Sequence, residues 1–194
     1  MASKRVAVIG ASGYGGLQTL RLLQGHPGLE VSFLGGERSS GKRWSELTPF
    51  LPLPGDPVVQ APDPDAIAAA ADLAVLSLPN GLASRLVPPL LERGVKVVDL
   101  SADYRYGSLQ QWREVYASEA RDFPRSDDAL CAEAVYGLVE WEQERIAAAR
   151  LVAAPGCFPT ASLLALTPLL KQGLIETAGI VIDAKTGTSG RSEE

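Results

Sequence analysis

Histidine, cysteine and methionine are scarce in this chain. Its 194 residues include one histidine, two cysteines and one methionine. The cysteines, Cys131 and Cys157, make neither a disulfide framework nor a zinc-ligand spacing, so no metal site is expected. The single histidine lies in Gln24-Gly25-His26-Pro27-Gly28, a loop signature, and reads as a surface residue without chemistry. No apolar run approaches the roughly 18 residues of a membrane span. The start, Met1-Ala2-Ser3-Lys4-Arg5, leads straight into a strand pattern and has no signal-peptide core. A reducing, cytoplasmic setting is therefore expected. A net charge of −5 and the lack of any long basic run argue against a nucleic-acid binder. Anionic ligands must then be held by local arginines, lysines and helix termini. The length suits one large domain, or one domain plus the start of another.

What is present is an alternation of strand and helix patterns. Lys4-Arg5-Val6-Ala7-Val8-Ile9 reads as a buried strand, and the glycine-rich turn Gly10-Ala11-Ser12-Gly13-Tyr14-Gly15-Gly16 follows at once. Leu17, Leu20 and Leu23 then mark the apolar face of a helix, and Glu30-Val31-Ser32-Phe33-Leu34 is a second strand. This is the mononucleotide-binding start of a doubly wound parallel sheet. Glycines at 10, 13 and 16 let the backbone approach a pyrophosphate, and the helix N-terminus supplies N–H donors and positive potential. NAD-binding chains place Asp or Glu at the end of the second strand. Here Gly35-Gly36-Glu37 is followed by Arg38, Ser39 and Ser40, which suit a 2′-phosphate and favour NADP, although Glu37 would repel one if it pointed inward.

Further strands are expected at 73–77 and 95–100, with a short one at Val58-Val59 and strand character from Cys131 to Leu138. Helices are expected over 65–71, 84–93, 108–121 and 140–150. Loops at the carboxyl ends of parallel strands carry ligands, so residues 10–16, 38–40 and 79–81 should face one cleft. The loop Asp99-Leu100-Ser101-Ala102-Asp103-Tyr104-Arg105 leaves the same edge, with Arg105 as a phosphate fork. The bland reading of that loop pairs Asp103 and Arg105 with solvent or with each other. A short strand, 151–154, delivers Cys157 to the start of an apolar helix expected over 160–171. A thiol in that position feels the helix dipole and unpaired N–H groups, which favour the thiolate. A last strand is expected at 179–185, followed by a Gly/Ser/Thr loop. A dinucleotide site combined with such a cysteine suggests attack on an activated acyl carbon, a thioester, and its reduction to an aldehyde.

The glycine turn, Asp99-Leu100-Ser101-Ala102-Asp103-Tyr104-Arg105, Ala134-Val135-Tyr136-Gly137-Leu138, Pro155-Gly156-Cys157-Phe158-Pro159-Thr160-Ala161 and Asp183-Ala184-Lys185-Thr186-Gly187-Thr188-Ser189-Gly190 together resemble the N-acetyl-gamma-glutamyl-phosphate reductase family of arginine biosynthesis. The resemblance implies an α/β chain: a Rossmann-type parallel sheet, residues 1–155, followed by the start of an α+β catalytic and dimerisation domain, residues 156–194. It implies NADPH-dependent reduction of N-acetyl-glutamyl phosphate to the semialdehyde by a cytoplasmic homo-oligomer. Cys157 matches the nucleophile. Gly10, Ala11, Ser12, Gly13, Tyr14, Gly15, Gly16, Arg38, Ser39, Ser40, Pro79, Asn80, Gly187, Ser189 and Gly190 fall on cofactor-contacting segments, and Ser101 and Arg105 on the substrate or phosphate segment.

The chain departs from the family pattern at Val139, where the family has proline, and after Gly190. The family chain continues further and supplies a catalytic histidine that His26 does not match. The expectation is accordingly an N-terminal fragment of low activity. The competing readings are a reductase of a homologous acyl phosphate such as N-acetyl-aminoadipyl phosphate, an aspartate-semialdehyde dehydrogenase, and a non-catalytic dinucleotide-binding module.

Overall fold

Parallel strands covered by helices on both faces must be apolar on both sides, and the first strand shows how this chain meets that demand. Strand β1 (Lys4–Ile9) buries Val6, Ala7, Val8 and Ile9 completely. Side chains alternate across a strand. Val6 and Val8 therefore enter one core with Leu20, Leu34, Trp44 and Val75, while Ala7 and Ile9 enter the other with Phe33, Ile67, Leu76, Val87 and Leu90.

The computed structural model describes residues 3–116, 125 and 127–187. The chain divides into two units, Met1–Ala154 and Pro155–Glu194. In the first unit, β1 is joined by β2 (Leu29–Gly35), β3 (Leu73–Leu76), β4 (Lys96–Asp99), β5 (Val135–Tyr136) and β6 (Leu151–Ala153). All pairs are parallel, in the order β2-β1-β3-β4-β6-β5. The expected doubly wound α/β sheet is thus present, with its switch point between β1 and β3. The β1–β2 register slips between Val6 and Ala7, so that Val6 faces Val31 and Ala7 faces Phe33. The slip puts Val31 and Leu34, three residues apart, against the same core, and aligns Phe33 with Ala7 on the other.

The helices of this unit are α1 (Tyr14–Leu23), α2 (Trp44–Leu47), α3 (Pro64–Ala70), α4 (Ala83–Glu92), α5 (Leu109–Val115), α6 (Asp128–Glu133) and α7 (Val139–Ala148). Helix α3 starts at an Asp63 side chain that accepts from Ala66 N, with Pro64 in the first turn. Helix α4 buries Ala83, Val87, Leu90 and Leu91 along one stripe. The second unit contains α8 (Cys157–Lys171), stopped at Gly173 (φ +67°), and an extended segment beyond it.

Four expectations are corrected. The helix expected over 108–121 ends at Val115; Tyr116 leaves it and packs against the rings of Trp112 and Tyr106, and positions 117–121 lie outside the described residues. Cys131 belongs to helix α6 rather than to a strand, and only Val135 and Tyr136 pair with β6. Val58 and Gln60 form isolated bridges to Arg43 and Gly35 instead of a strand. The segment 179–185 forms no strand: it has no ladder partner among the described residues, and Val181 is 88% exposed. A strand is defined by that partner, which apolar patterning alone does not supply.

The tightest point of the sheet is the end of β1. Gly10 has φ +78°, and a Cβ there would lie 2.0 Å from the Ser77 carbonyl oxygen. Gly25 has nearly the same φ, +77°, with nothing within 4 Å. Gly25→Ala should therefore cost only its left-handed strain, about 1 kcal/mol. Gly10→Ala adds a backbone collision and should cost about 3 kcal/mol or more, or prevent folding. Urea denaturation of the two variants checks this, and equal midpoints would contradict it.

Candidate functional site

The carboxyl edge of the sheet gathers most of the residues marked out by sequence. Gly10 N and Ala11 N donate to Gly35 O at 2.8 and 3.2 Å, and Ser77 N donates to Ile9 O at 2.8 Å. The loops after β1, β2 and β3 are thereby stitched together. Gly16 sits under the turn, where a Cβ would lie 2.3 Å from Gly10 O. Helix α1 begins at Gly13 with no side-chain cap. Its first-turn N–H groups, on Tyr14, Gly15 and Gly16, point away from the helix body as orphan donors. Ala11 is buried, Ser12 and Gly13 are exposed, and the Tyr14 ring is 75% exposed.

After β2 the chain turns through residues 37–41. Arg38 and Ser40 are exposed, whereas Ser39 is buried, its hydroxyl folded back where a Cβ on Gly36 would lie. No carboxylate occupies the end of β2. A side chain at Gly35 would strike Ile9 Cδ1 at 2.5 Å, and one at Gly36 would strike Ser39 Oγ at 2.4 Å. Glu37 is exposed on the turn.

Pro79 and Asn80 follow β3, and the 101–105 loop follows β4. Asn80 Oδ1 accepts from Ala102 N at 3.0 Å, so this side-chain oxygen is committed to the neighbouring loop. Ser101 is nearly buried; its hydroxyl donates to Asp99 Oδ2 at 2.8 Å and accepts from Asp103 N at 3.2 Å. Arg105 is anchored by two bonds, Nε to Ala154 O and Nη2 to Leu100 O, both 2.9 Å. Its Nη1 has no hydrogen-bond acceptor among the described residues.

Sequence reasoning missed the buried charges behind this edge. Asp103 does not pair with solvent or with Arg105. It is fully buried, with Oδ1 accepting from Gly81 N at 2.5 Å and Oδ2 from Ser84 N at 3.1 Å. Arg125, also buried, donates from Nη1 to Asp103 O at 2.6 Å and forms a two-pronged pair with Asp127, both bonds 3.0 Å. Its guanidinium lies 4.8 Å from the ring centroids of both Tyr104 and Trp112. The Tyr104 hydroxyl donates to Asp127. Nothing in the local pattern marks Arg125, because a charged residue reads as solvated until its aromatic box is known.

Burial dominates the titration of this network. It raises Asp99 to about 7, helped by the nearby Asp103 and opposed by the Ser101 bonds and Arg105. Asp103 is also raised by burial, opposed by the Gly81 amide and Arg125. Burial acts against Asp127 too, but the bonds from Arg125 and Tyr104 outweigh it and hold the carboxyl below its usual range. Burial lifts the Cys131 thiol to about 11, which makes it inert.

Cys157, in the second unit, is exposed and is the first residue of α8, three residues earlier than the expected helix start. Gly156 precedes it without a side-chain cap. Thr160 closes the first turn by donating from both N and Oγ1 to Gly156 O, at 3.0 and 2.8 Å. Pro159 has no N–H, so the Cys157 and Phe158 amides are the donors left at this end. Gly187 is exposed, while Ser189 and Gly190 lie outside the described residues. His26 is exposed, its Nδ1 accepting from Gly28 N at 3.1 Å. Among the described residues there is no cluster able to hold a metal, and no helix is long and apolar enough to cross a membrane.

Residues 5–149 match the NAD-binding domain of semialdehyde dehydrogenases, and residues 157–193 match their dimerisation domain. The chain belongs to the semialdehyde dehydrogenase family. An N-acetyl-gamma-glutamyl-phosphate reductase of Synechococcus sp. (strain CC9605) is 73% identical over 186 residues, covering 96% of this chain and 52% of that protein. The motif resemblance is thus borne out, and the chain spans about half the length of the curated relatives it matches. Among solved semialdehyde dehydrogenases, the aspartate semialdehyde dehydrogenase II of Vibrio cholerae complexed with ASA superposes with a TM-score of 0.60 at 23% identity, covering 87% of this chain and 47% of that one. Aspartate semialdehyde dehydrogenase with NADP from Candida albicans gives 0.57 at 22%, covering 88% and 48%. These two likenesses establish the shared fold.

The Asp99 shift carries a stability consequence. A carboxyl raised in the folded state binds its proton more tightly there than in the unfolded chain, so its contribution to stability falls as pH rises from about 4 through about 7. Asp99→Asn removes that loss. Below pH 4 the variant should gain nothing. Above pH 7 it should be more stable than the wild type by on the order of 4 kcal/mol. Denaturant titrations at several pH values test this, and a pH-independent difference would contradict it.

Proposed function

We propose that this chain provides the dinucleotide-binding domain and the nucleophile of an NADPH-dependent N-acetyl-γ-glutamyl-phosphate reductase, which forms the 5-semialdehyde and releases phosphate. The observation that carries the reading is the exposed Cys157 at the first position of α8, within the Gly-Cys-Phe-Pro-Thr-Ala stretch. The 73% identity to a reductase so named supports it. The same reading makes the enzyme cytoplasmic and homo-oligomeric. The match of residues 157–193 to a dimerisation domain supports the second point.

The residues at the carboxyl edge fit a dinucleotide. A pyrophosphate needs close backbone approach and unpaired N–H donors. The turn closed by Gly10 and Gly16 has no side chains at its tightest points, and α1 has no cap of its own. Arg38 and Ser40 are exposed beside the end of β2, on the same turn as the exposed Glu37, and supply charge-assisted donors for a 2′-phosphate. When bound, the cofactor supplies hydride. Cys157 Sγ attacks the acyl carbon, and the carbon–phosphate oxygen bond breaks as phosphate leaves. Cys157 then holds the acyl group as a thioester through reduction and departs as thiolate when the aldehyde forms. The amides of Cys157 and Phe158 stabilise the oxyanion. Arg105 Nη1, held by the other two arms of its guanidinium, receives the phosphate, and Ser101 braces that loop through Asp99.

Acylation tests the nucleophile without requiring turnover. Incubated with N-acetyl-γ-glutamyl phosphate in the absence of NADPH, the chain should gain one N-acetylglutamyl group by intact mass, and Cys157→Ala should gain none. Equal labelling of both would sink the assignment. Arg38→Ala should weaken NADPH binding by about tenfold or more, from the loss of charge-assisted bonds, and leave NADH binding unchanged. Equal loss for both nucleotides would remove Arg38 from the 2′-phosphate site.

A further inference from the structure

Helix α4 begins without a cap of its own. Its N-cap residue, Leu82, has helical φ and ψ and an apolar side chain. A helix start buried against the core needs acceptors for its free N–H groups. Here they come from another loop: Asp103, after β4, accepts from Gly81 N and Ser84 N with its two carboxylate oxygens. The exchange is reciprocal, since Asn80 Oδ1, in the turn before α4, accepts from Ala102 N at 3.0 Å. Two hydrogen bonds therefore cross between the 79–81 turn and the 101–105 loop, and a third joins that loop to Ser84 in the first turn of α4. Ser84 Oγ folds back onto Gly81 O at 2.8 Å and tightens the turn further. On the far side, Arg125 pins the Asp103 carbonyl at 2.6 Å.

A fully buried carboxylate is a costly way to fill space. It is a suitable way to take two N–H groups at once at the positive end of a helix. One consequence is directional. The N-terminus of α4 is satisfied by protein, whereas that of α1 has no cap. Of the two helices that start at the switch point, only α1 is left to receive an anion.

We propose that Asp103 is a positioning residue of the dinucleotide site, which with Asn80 locks the 79–81 turn to the loop bearing Arg105 so that the two are placed as one piece. This rests on the dinucleotide reading above. In it, Asn80 acts through its grip on Ala102 in addition to any contact with the cofactor.

The test uses the isotope-labelled 194-residue chain, with amide hydrogen exchange and NADPH titration read on the wild type, Asp103→Asn and Asn80→Ala. Asp103→Asn keeps the shape but loses one acceptor. The expected result is at least tenfold faster exchange at Gly81 and Ser84, no change at the β1 and β3 amides, and an NADPH Kd raised about tenfold or more. Asn80→Ala should speed Ala102 alone and raise the Kd less. Should Asp103→Asn fail to fold, Asn80→Ala decides by the same two readouts. A merely structural role would accelerate core exchange and leave the Kd of the folded fraction unchanged, which overturns the proposal. Unchanged exchange at Gly81 and Ser84 also overturns it. A wild-type chain that takes up no NADPH overturns the dinucleotide reading and the positioning role with it. The exchange pattern then shows whether the crossing bonds exist.

Discussion

The carboxyl edge depends on the close approach of Gly10 to the Ser77 carbonyl. A methyl group at position 10 would come within 2.0 Å of that oxygen, so the first turn and the β3 turn touch with no side chain between them. Because Gly10 and Ala11 also bond back to Gly35, three loops share one backbone junction. Strand β1 can serve as that junction because it is buried on both faces and paired on both edges. The glycine turn is therefore a structural joint as well as the proposed dinucleotide cradle.

A second layer stands behind this junction and is built from charge rather than apolar packing. Asp99, Ser101 and Asp103 shape the loop after β4 from within, and Arg125 holds it from outside between two aromatic rings. Arg105 does two jobs in this arrangement. Its bonds to Leu100 and Ala154 tie the end of β4 to the end of β6, the strand from which the chain runs on to Cys157. A lysine at that position would keep the charge but lose the fork that makes both ties at once.

Much of this was legible in the sequence, for reasons that can be named. Val6 to Ile9 followed by Gly10, Gly13 and Gly16 is a strand–turn–helix pattern whose period and glycine spacing have few other solutions. The turn at residues 37–41 and a helix beginning close to Cys157 were also readable, because both depend on neighbours close in sequence. Asp103 was not. Its partners lie 22 and 19 residues away, and a charged residue in a loop is read as solvated until the fold closes over it. Arg125 was hidden for the same reason. The segment 179–185 failed in the opposite sense: its apolar residues suit a strand, but strand formation needs a partner that local pattern does not reveal.

The box around Arg125 has a consequence for the electric field at the edge. The Arg125 guanidinium stays charged at any pH a protein meets. Asp99, bonded to Ser101 on the same edge, is raised by burial to about 7. Arg125 is offset there by its pair with Asp127, while burial raises both Asp99 and Asp103. The edge is therefore less negative in mildly acidic solution, where Asp99 is protonated, than in alkaline solution, where it is ionised. The charge of this edge is thus graded with pH by carboxyls buried beneath its surface.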